Sequence, residues 1–174
     1  MVWSRKFSSP VATLVALLAL FASCKISYKF NGSSIDYTVV KTISIEEFPN
    51  RAPLVYASLS SDFTEKLKDE FSSKTSLRFV ERDGDLQISG DITGYNVVSS
   101  GVNSSGEAVD SRLQMSVFVR FVNKVNSSES FEKSFSSYQT FSNQYTIDQV
   151  QGELNGLLIE DIVSQIFNAT VANW

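Results

Sequence analysis

Apolar residues along this chain recur at two spacings, and the switches between them mark out strands and helices. From Ile35 to Ile45, Ile35, Tyr37, Val39, Ile43 and Ile45 alternate with Asp36, Thr38, Thr42 and Ser44, predicting a strand with one apolar and one hydroxyl-rich face. Pro49 and Pro53 interrupt the pattern. Leu59, Phe63, Leu67 and Phe71 then recur every four residues, with Asp62, Glu65, Lys66, Lys68 and Asp69 on the other sides, which predicts an amphipathic helix. Ser58, Ser60 and Ser61 are its N-cap candidates, and Asp62 precedes Lys66 by one turn in the favourable order. Leu77, Phe79 and Val80 read as a short strand. Past the Asp83-Gly84 turn signal, Leu86, Ile88, Gly90, Ile92 and Gly94 alternate with Gln87, Ser89, Asp91 and Thr93, so a hairpin is expected here.

Residues 99–110, with Gly101 and Gly106 inside, lack periodicity and are expected to form a mobile loop. Alternation resumes at Leu113, Met115, Val117, Val119 and Phe121, and a turn near Asn126-Ser127 leads to a strand from Phe131 to Phe141, giving a second hairpin. In the last element, Thr146 and Gln149 have capping-box spacing, and Tyr145 and Val150 fall at the two staple positions. Val150, Leu154, Leu157, Leu158, Ile162, Ile166 and Phe167 make the apolar stripe of a long C-terminal helix. Gly152 and Gly156 within it mark either close packing on the sheet or a weak first half, since each costs roughly 1 kcal/mol relative to Ala.

This order of elements predicts an α+β fold: a two-layer sandwich in which a mixed four- to five-stranded β-sheet carries two α-helices on one face. The first helix crosses between strands, so the strands it joins should be parallel, while the later hairpins are antiparallel. Two helices leave the other sheet face open. That face should present Thr38, Thr42, Gln87, Ser89, Thr93, Gln114, Ser116, Arg120, Ser134 and Ser136, and be polar but hardly charged.

The N-terminus changes this picture. Arg5 and Lys6 precede an apolar run from Val11 to Ala22, and Ala22-Ser23 places small residues just before Cys24, the single cysteine. This reads as a lipoprotein signal over residues 1–23, with Phe21 standing where the commonest lipobox has Leu. The run is about a dozen residues, too short for a bilayer span of roughly 20. Cys24 would carry a thioether-linked diacylglycerol and an N-acyl chain, and two or three chains hold a protein on a membrane where one binds marginally. Residues 24–34 then form a tether and 35–174 a single domain of ordinary size. With Cys24 committed to lipid, that domain holds together by burial, helped by 10 of the chain's 13 phenylalanines.

A net charge of −4 and a pI near 4.9 argue against nucleic acid as a partner. The chain has no histidine, which removes Ser-His-Asp and Cys-His nucleophile pairs and histidine metal sites. Ser73-Lys74 ends a helix and Ser130–Lys133 lies on an exposed strand, so neither suggests Ser-Lys chemistry. No enzyme activity, metal or cofactor beyond the covalent lipid is expected.

The ordered set Cys24-Lys-Ile-Ser-Tyr28-Lys-Phe30-Asn-Gly32-Ser-Ser-Ile35, Lys41-Thr-Ile-Ser-Ile45-Glu-Glu-Phe48-Pro-Asn50, Leu59-Ser-x-x-Phe63-Thr-Glu65-Lys-Leu67-Lys-Asp69 and Gly84-Asp-Leu86-x-x-x-Gly90-x-Ile92-x-x-Tyr95 resembles the LptE family of lipopolysaccharide-assembly lipoproteins, in its Bacteroidetes form. The resemblance implies a lipid-anchored protein on the periplasmic side of a Gram-negative outer membrane. It would plug the LptD β-barrel translocon, assist that barrel's assembly, and help insert lipopolysaccharide into the outer leaflet. Arg120, Lys124 and Lys133, on or near the later hairpin strands, are candidate contacts for lipopolysaccharide phosphates. The alternative is a free periplasmic ligand-binding lipoprotein, for which a deep apolar pocket would be the mark. Asn-x-Ser/Thr triplets at Asn31, Asn103, Asn126 and Asn168 are read as coincidence in a Ser- and Asn-rich bacterial chain.

Overall fold

The computed structural model describes residues 36–102 and 108–171, so Cys24, the signal segment and the triplets at Asn31 and Asn103 lie outside the described residues. Its elements are β1 (Thr42–Ile45), α1 (Leu59–Lys74), β2 (Arg78–Phe79), β3 (Leu86–Val102), β4 (Ala108–Asn123), β5 (Phe131–Ser142) and α2 (Ile147–Thr170). The five strands form one mixed sheet in the order β2-β1-β3-β4-β5. β1 runs parallel to both neighbours, and β3, β4 and β5 form an antiparallel meander. The strands flanking α1, β1 and β2, are parallel, as a helical crossover requires. The fold is therefore the α+β arrangement expected, with five strands.

Strand alternation explains the layering. Ile43, Ile45, Leu86, Ile88, Ile92, Tyr95, Leu113, Met115, Val117, Val119 and Phe121 point to one side and are buried. They meet Leu59, Phe63, Leu67 and Phe71 from α1 and Leu154, Leu158, Ile162 and Ile166 from α2 in a single core. Phe71 and Phe167 join the two helices edge-to-face at 5.1 Å. The capping box at α2 forms as its spacing predicts, with Thr146 N donating to Gln149 Oε1 at 2.9 Å. At α1 the N-cap is Ser58, but its hydroxyl donates to Asp62 Oδ2 at 2.6 Å and leaves the helix amides uncapped by a side chain.

Gly152 and Gly156 face open space, with nothing within 4 Å of the position a Cβ would take, so they serve no close packing on the sheet. They are simply weak helix formers. Gly152→Ala and Gly156→Ala should each raise stability by roughly 1 kcal/mol; a urea midpoint that stays put in both would contradict this.

Three expectations are corrected. The first strand does not begin at Ile35: residues 37–39 form a turn, because the Asp36 carboxylate accepts from Thr38 N at 2.9 Å and Thr38 Oγ1 at 2.6 Å. A short acceptor next to its own backbone outcompetes the ladder, and Tyr37 and Val39 are left exposed. The expected hairpin about Asp83-Gly84 does not form either, since β1 lies between β2 and β3, with Ile43 level with both Phe79 and Leu86. The turn signal is real, with Asp83 at φ 59°, but residues 80–85 use it to cross over the polar side of β1. Gly84 makes that crossing tight: a Cβ there would sit 2.6 Å from Ser44 N and 2.8 Å from the Ile43 carbonyl carbon. Lastly, residues 99–102 and 108–110 are strand, paired as Ser99 with Ser111, Gly101 with Asp110 and Val102 with Ala108. Backbone pairing continues past the end of the apolar pattern because a ladder needs amides, not hydrophobic side chains; positions 103–107 lie outside the described residues.

Asp85 ties this crossing down. Its Oδ2 accepts from Lys41 N, Thr42 N and Thr42 Oγ1, each at 2.9 Å. The Lys41 amide first, then the Thr42 hydroxyl, hold the carboxyl below its usual range. A depressed carboxyl stabilises above its unfolded value of about 3.9, and that contribution is lost as pH falls through the lower folded value. Stability should therefore fall with acid below about pH 4, and Asp85→Asn should flatten this part of the profile. Superimposable urea-midpoint profiles for the two proteins would refute the assignment.

Candidate interaction face

The helices cover one side of the sheet, and the other side of β3–β5 is uncovered. Register places Gln87, Ser89 and Asp91 of β3 on that side, beside Val122, Arg120 and Phe118 of β4. On β5, Glu132, Ser134, Ser136, Tyr138 and Thr140 continue the rows opposite Arg120, Phe118, Ser116, Gln114 and Arg112. The outward positions expected on β3–β5 are thus in place, whereas Thr38 sits in the preceding turn. Thr42 and Ser44 point outward from β1 but lie under the 80–85 crossing, which leaves Ser44 4% exposed.

Charges on this face are mostly paired within the chain. Arg120 Nε meets Glu132 Oε1 at 2.6 Å with both side chains more than half exposed, a pair worth little in water. Arg51 Nε meets Asp91 Oδ1 at 2.7 Å. Lys124 lies past the end of β4, where its Nζ donates to Asp83 Oδ1 at 3.0 Å, and that bond holds the Asp83 carboxyl below its usual range. Lys133 is opposite buried Val119 and so points to the helix side, its Nζ 5.2 Å from the Phe135 ring centroid. Arg120, Lys124 and Lys133 are therefore distributed over the outward face, the strand end and the opposite side of the edge strand, and do not form one cluster.

Two further residues of the face, Arg112 and Tyr138, are not among the positions expected from the sequence. The Arg112 guanidinium carbon lies 4.0 Å from the Tyr138 ring centroid, and Tyr138 is 55% exposed. Both residues are in phase with outward Gln114 and Ser136, so alternation carried one residue before Leu113 finds Arg112. The signal is hidden because the segment up to Asp110 has the composition of a loop. Phe118, partly buried among Asp91 and Ser134, is also on this face and makes it less uniformly polar than expected.

A separate open cavity of about 950 Å³ lies between α1 and the β1–β2 edge. Glu46, Glu47, Lys68, Asp69, Glu81 and Arg82 rim it, unlike the deep apolar pocket of a small-ligand binder. Among the described residues, no group of three or more His, Cys, Asp or Glu side chains is placed to hold a metal, and no helix is long and apolar enough to cross a membrane.

Solved structures share this architecture. A minor lipoprotein from Acinetobacter baumannii aligns with a TM-score of 0.53 at 17% identity, over 78% of this chain and 95% of that one. A hypothetical protein from Chlamydia trachomatis aligns at 0.54 and 12%, over 77% and 99% of the two chains. The solution structure of an uncharacterized lipoprotein B from Nitrosomonas europaea aligns at 0.51 and 16%, over 76% and 83%. At such identities the likeness establishes a common fold. No curated protein sequence matches this chain. The family model described as LptE, lipopolysaccharide-assembly, matches residues 40–170, a span from just before β1 to the last residue of α2. The chain belongs to the LptE family.

Proposed function

We propose that this protein is a lipid-anchored subunit of the lipopolysaccharide-assembly machinery, held on the periplasmic side of the outer membrane by Cys24 and seated within an LptD-like β-barrel. It acts by binding, not catalysis, supporting the barrel's assembly and the insertion of lipopolysaccharide into the outer leaflet. Family membership supports the assembly role. The observation that carries the barrel partnership is the uncovered face of β3–β5, whose hydroxyl, amide and internally paired charged groups suit the polar interior of a large barrel. In this reading residues 1–23 are removed as a signal, 24–34 span from the membrane to the domain, and the lipid on Cys24 is the only covalent group. Arg120, Lys124 and Lys133 would meet lipopolysaccharide phosphates separately; the exposed Arg120–Glu132 pair is weak enough for a phosphate to displace the carboxylate.

Purification of the mature protein from outer membranes in mild detergent should bring down a much larger barrel protein. Recovery as a lone monomer would return the reading to a free periplasmic ligand-binding lipoprotein. Intact-mass measurement should find an acylated N-terminus at Cys24, and Cys24→Ala should abolish membrane attachment almost completely. Unchanged attachment in that variant would end the anchor assignment.

A further inference from the structure

We infer that Arg112, stacked on Tyr138 and flanked by Val98, is the anchor point through which the uncovered sheet face grips its protein partner, and that the partner supplies a carboxylate there. This rests on the reading that a barrel protein covers the face. Outward cations on β3–β5 have two fates among the described residues: Arg120 is neutralised by Glu132, and Arg112 has an aromatic partner but no carboxylate within ion-pair distance. Register places Val98 of β3 and Thr140 of β5 on either side of Arg112, and Tyr138 lies diagonally across on β5. Val98 is 39% exposed, and Tyr138 exposes most of one flank. The site therefore combines an apolar floor, an exposed aromatic ring and an uncompensated guanidinium in one small patch.

The guanidinium is already immobilised. Its Nε is buried without a hydrogen-bond partner, so the stem is packed down while the guanidinium carbon lies over the ring. A stacked, oriented guanidinium loses little further freedom on binding and presents a planar fork matched to a carboxylate. Arg and Tyr are also the residue types that dominate protein–protein binding energy when neighbouring contacts exclude water. A glycolipid phosphate would meet the same fork, but the adjoining Val98 and Tyr138 surface favours a protein side that is itself partly apolar, such as an Asp or Glu flanked by aliphatic or aromatic residues.

The test uses the full-length lipoprotein expressed with its native partner. Arg112→Ala should weaken recovery of the barrel protein, measured as affinity for the purified partner, by roughly 30-fold. Arg112→Glu should weaken it further, and Arg112→Lys should not restore it, because an ammonium neither stacks nor forks. Tyr138→Ala should reproduce most of the loss, whereas Ser136→Ala on the same face should not. All variants should keep a cooperative thermal melt, with only a small shift from the half-buried Arg112 stem, which separates a lost contact from a lost fold. If the parent recovers the barrel protein and Arg112→Glu does so equally well, the inference is wrong while the partnership stands. Should Arg112→Glu spare the partner but reduce binding of lipopolysaccharide-containing micelles, the site belongs to phosphate and the inference is overturned. A parent that recovers no barrel protein defeats both readings.

Discussion

Gly90→Ala should destabilise the domain by about 3 kcal/mol, at the upper end of what overpacking costs. Gly90 lies where β3 passes between β4 and the segment after β1, opposite Val119. A Cβ there would fall 2.0 Å from the Phe118 carbonyl oxygen and 2.7 Å from Phe48 Cε1. The first contact is with backbone in the middle of a ladder, so relief requires β3 and β4 to part. The second is with a ring that is fully buried and packed against Phe63 at 5.1 Å. Neither neighbour can give way cheaply. The effect should appear as a large fall in the urea midpoint; Gly94→Ala, whose Cβ would meet the flexible Ser116 side chain at 3.2 Å, should cost much less. Equal midpoints for the two variants would show that the strand spacing is softer than described.

Tyr95→Ala should cost about 4 kcal/mol, in the range found for removing a large buried aromatic ring. Tyr95 is fully buried, and its hydroxyl donates to Asn155 Oδ1 and accepts from Gln151 Nε2, both at 2.8 Å. Burial pushes the phenol above its usual pKa, so the group stays neutral and keeps its donor through ordinary pH. These two bonds are how β3 holds the first half of α2, the half weakened by Gly152 and Gly156. Tyr95→Phe isolates the polar share: it strands the Gln151 amide and the Asn155 carbonyl in the core, at a cost of roughly 2 kcal/mol. Asn155 Nδ2 already lacks a partner, so the cluster has no spare bond to offer. Double replacement of Tyr95 by Phe and Gln151 by Leu should recover part of the loss, as measured by equilibrium unfolding; no recovery would mean the hydroxyl contributes through packing alone.

Elements set by local signals are legible in the sequence. The Thr146–Gln149 cap, the four-residue spacing of α1 and the β4–β5 hairpin all depend on neighbours within a few turns or one tight loop. Sequence and structure part where a long-range partner decides the outcome. Asp83-Gly84 makes a true turn, yet β1, some forty residues earlier, inserts between the strands that the turn would join. The 99–110 segment has no apolar period, so amphipathic reasoning has nothing to detect there, although Ser99 and Gly101 pair with β4 through their backbones. Gly90 and Gly94 are interchangeable as letters, and only the packing of β3 on β4 sets one of them against a backbone carbonyl. The candidate face is legible as alternation from Gln114 to Arg120 and invisible at Arg112, where loop-like composition ends the pattern. Cys24, Arg120, Lys124 and Lys133 stand out by residue type; the ion pairs of Arg120 with Glu132 and Lys124 with Asp83 exist only in the fold.

The sheet also has an uneven history built into its connectivity. Each strand of the β3–β4–β5 meander meets its neighbour across a short reversal, whereas β1 reaches β3 only after the whole of α1 has been spanned. Closing the longer loop costs roughly 1.5–2 kcal/mol more in chain entropy, and non-local pairings of this kind are the slow ones. The uncovered face is carried entirely by the meander. Its pairings are all between sequence neighbours, so its assembly does not depend on the longer closure that brings in the parallel strands and completes the core.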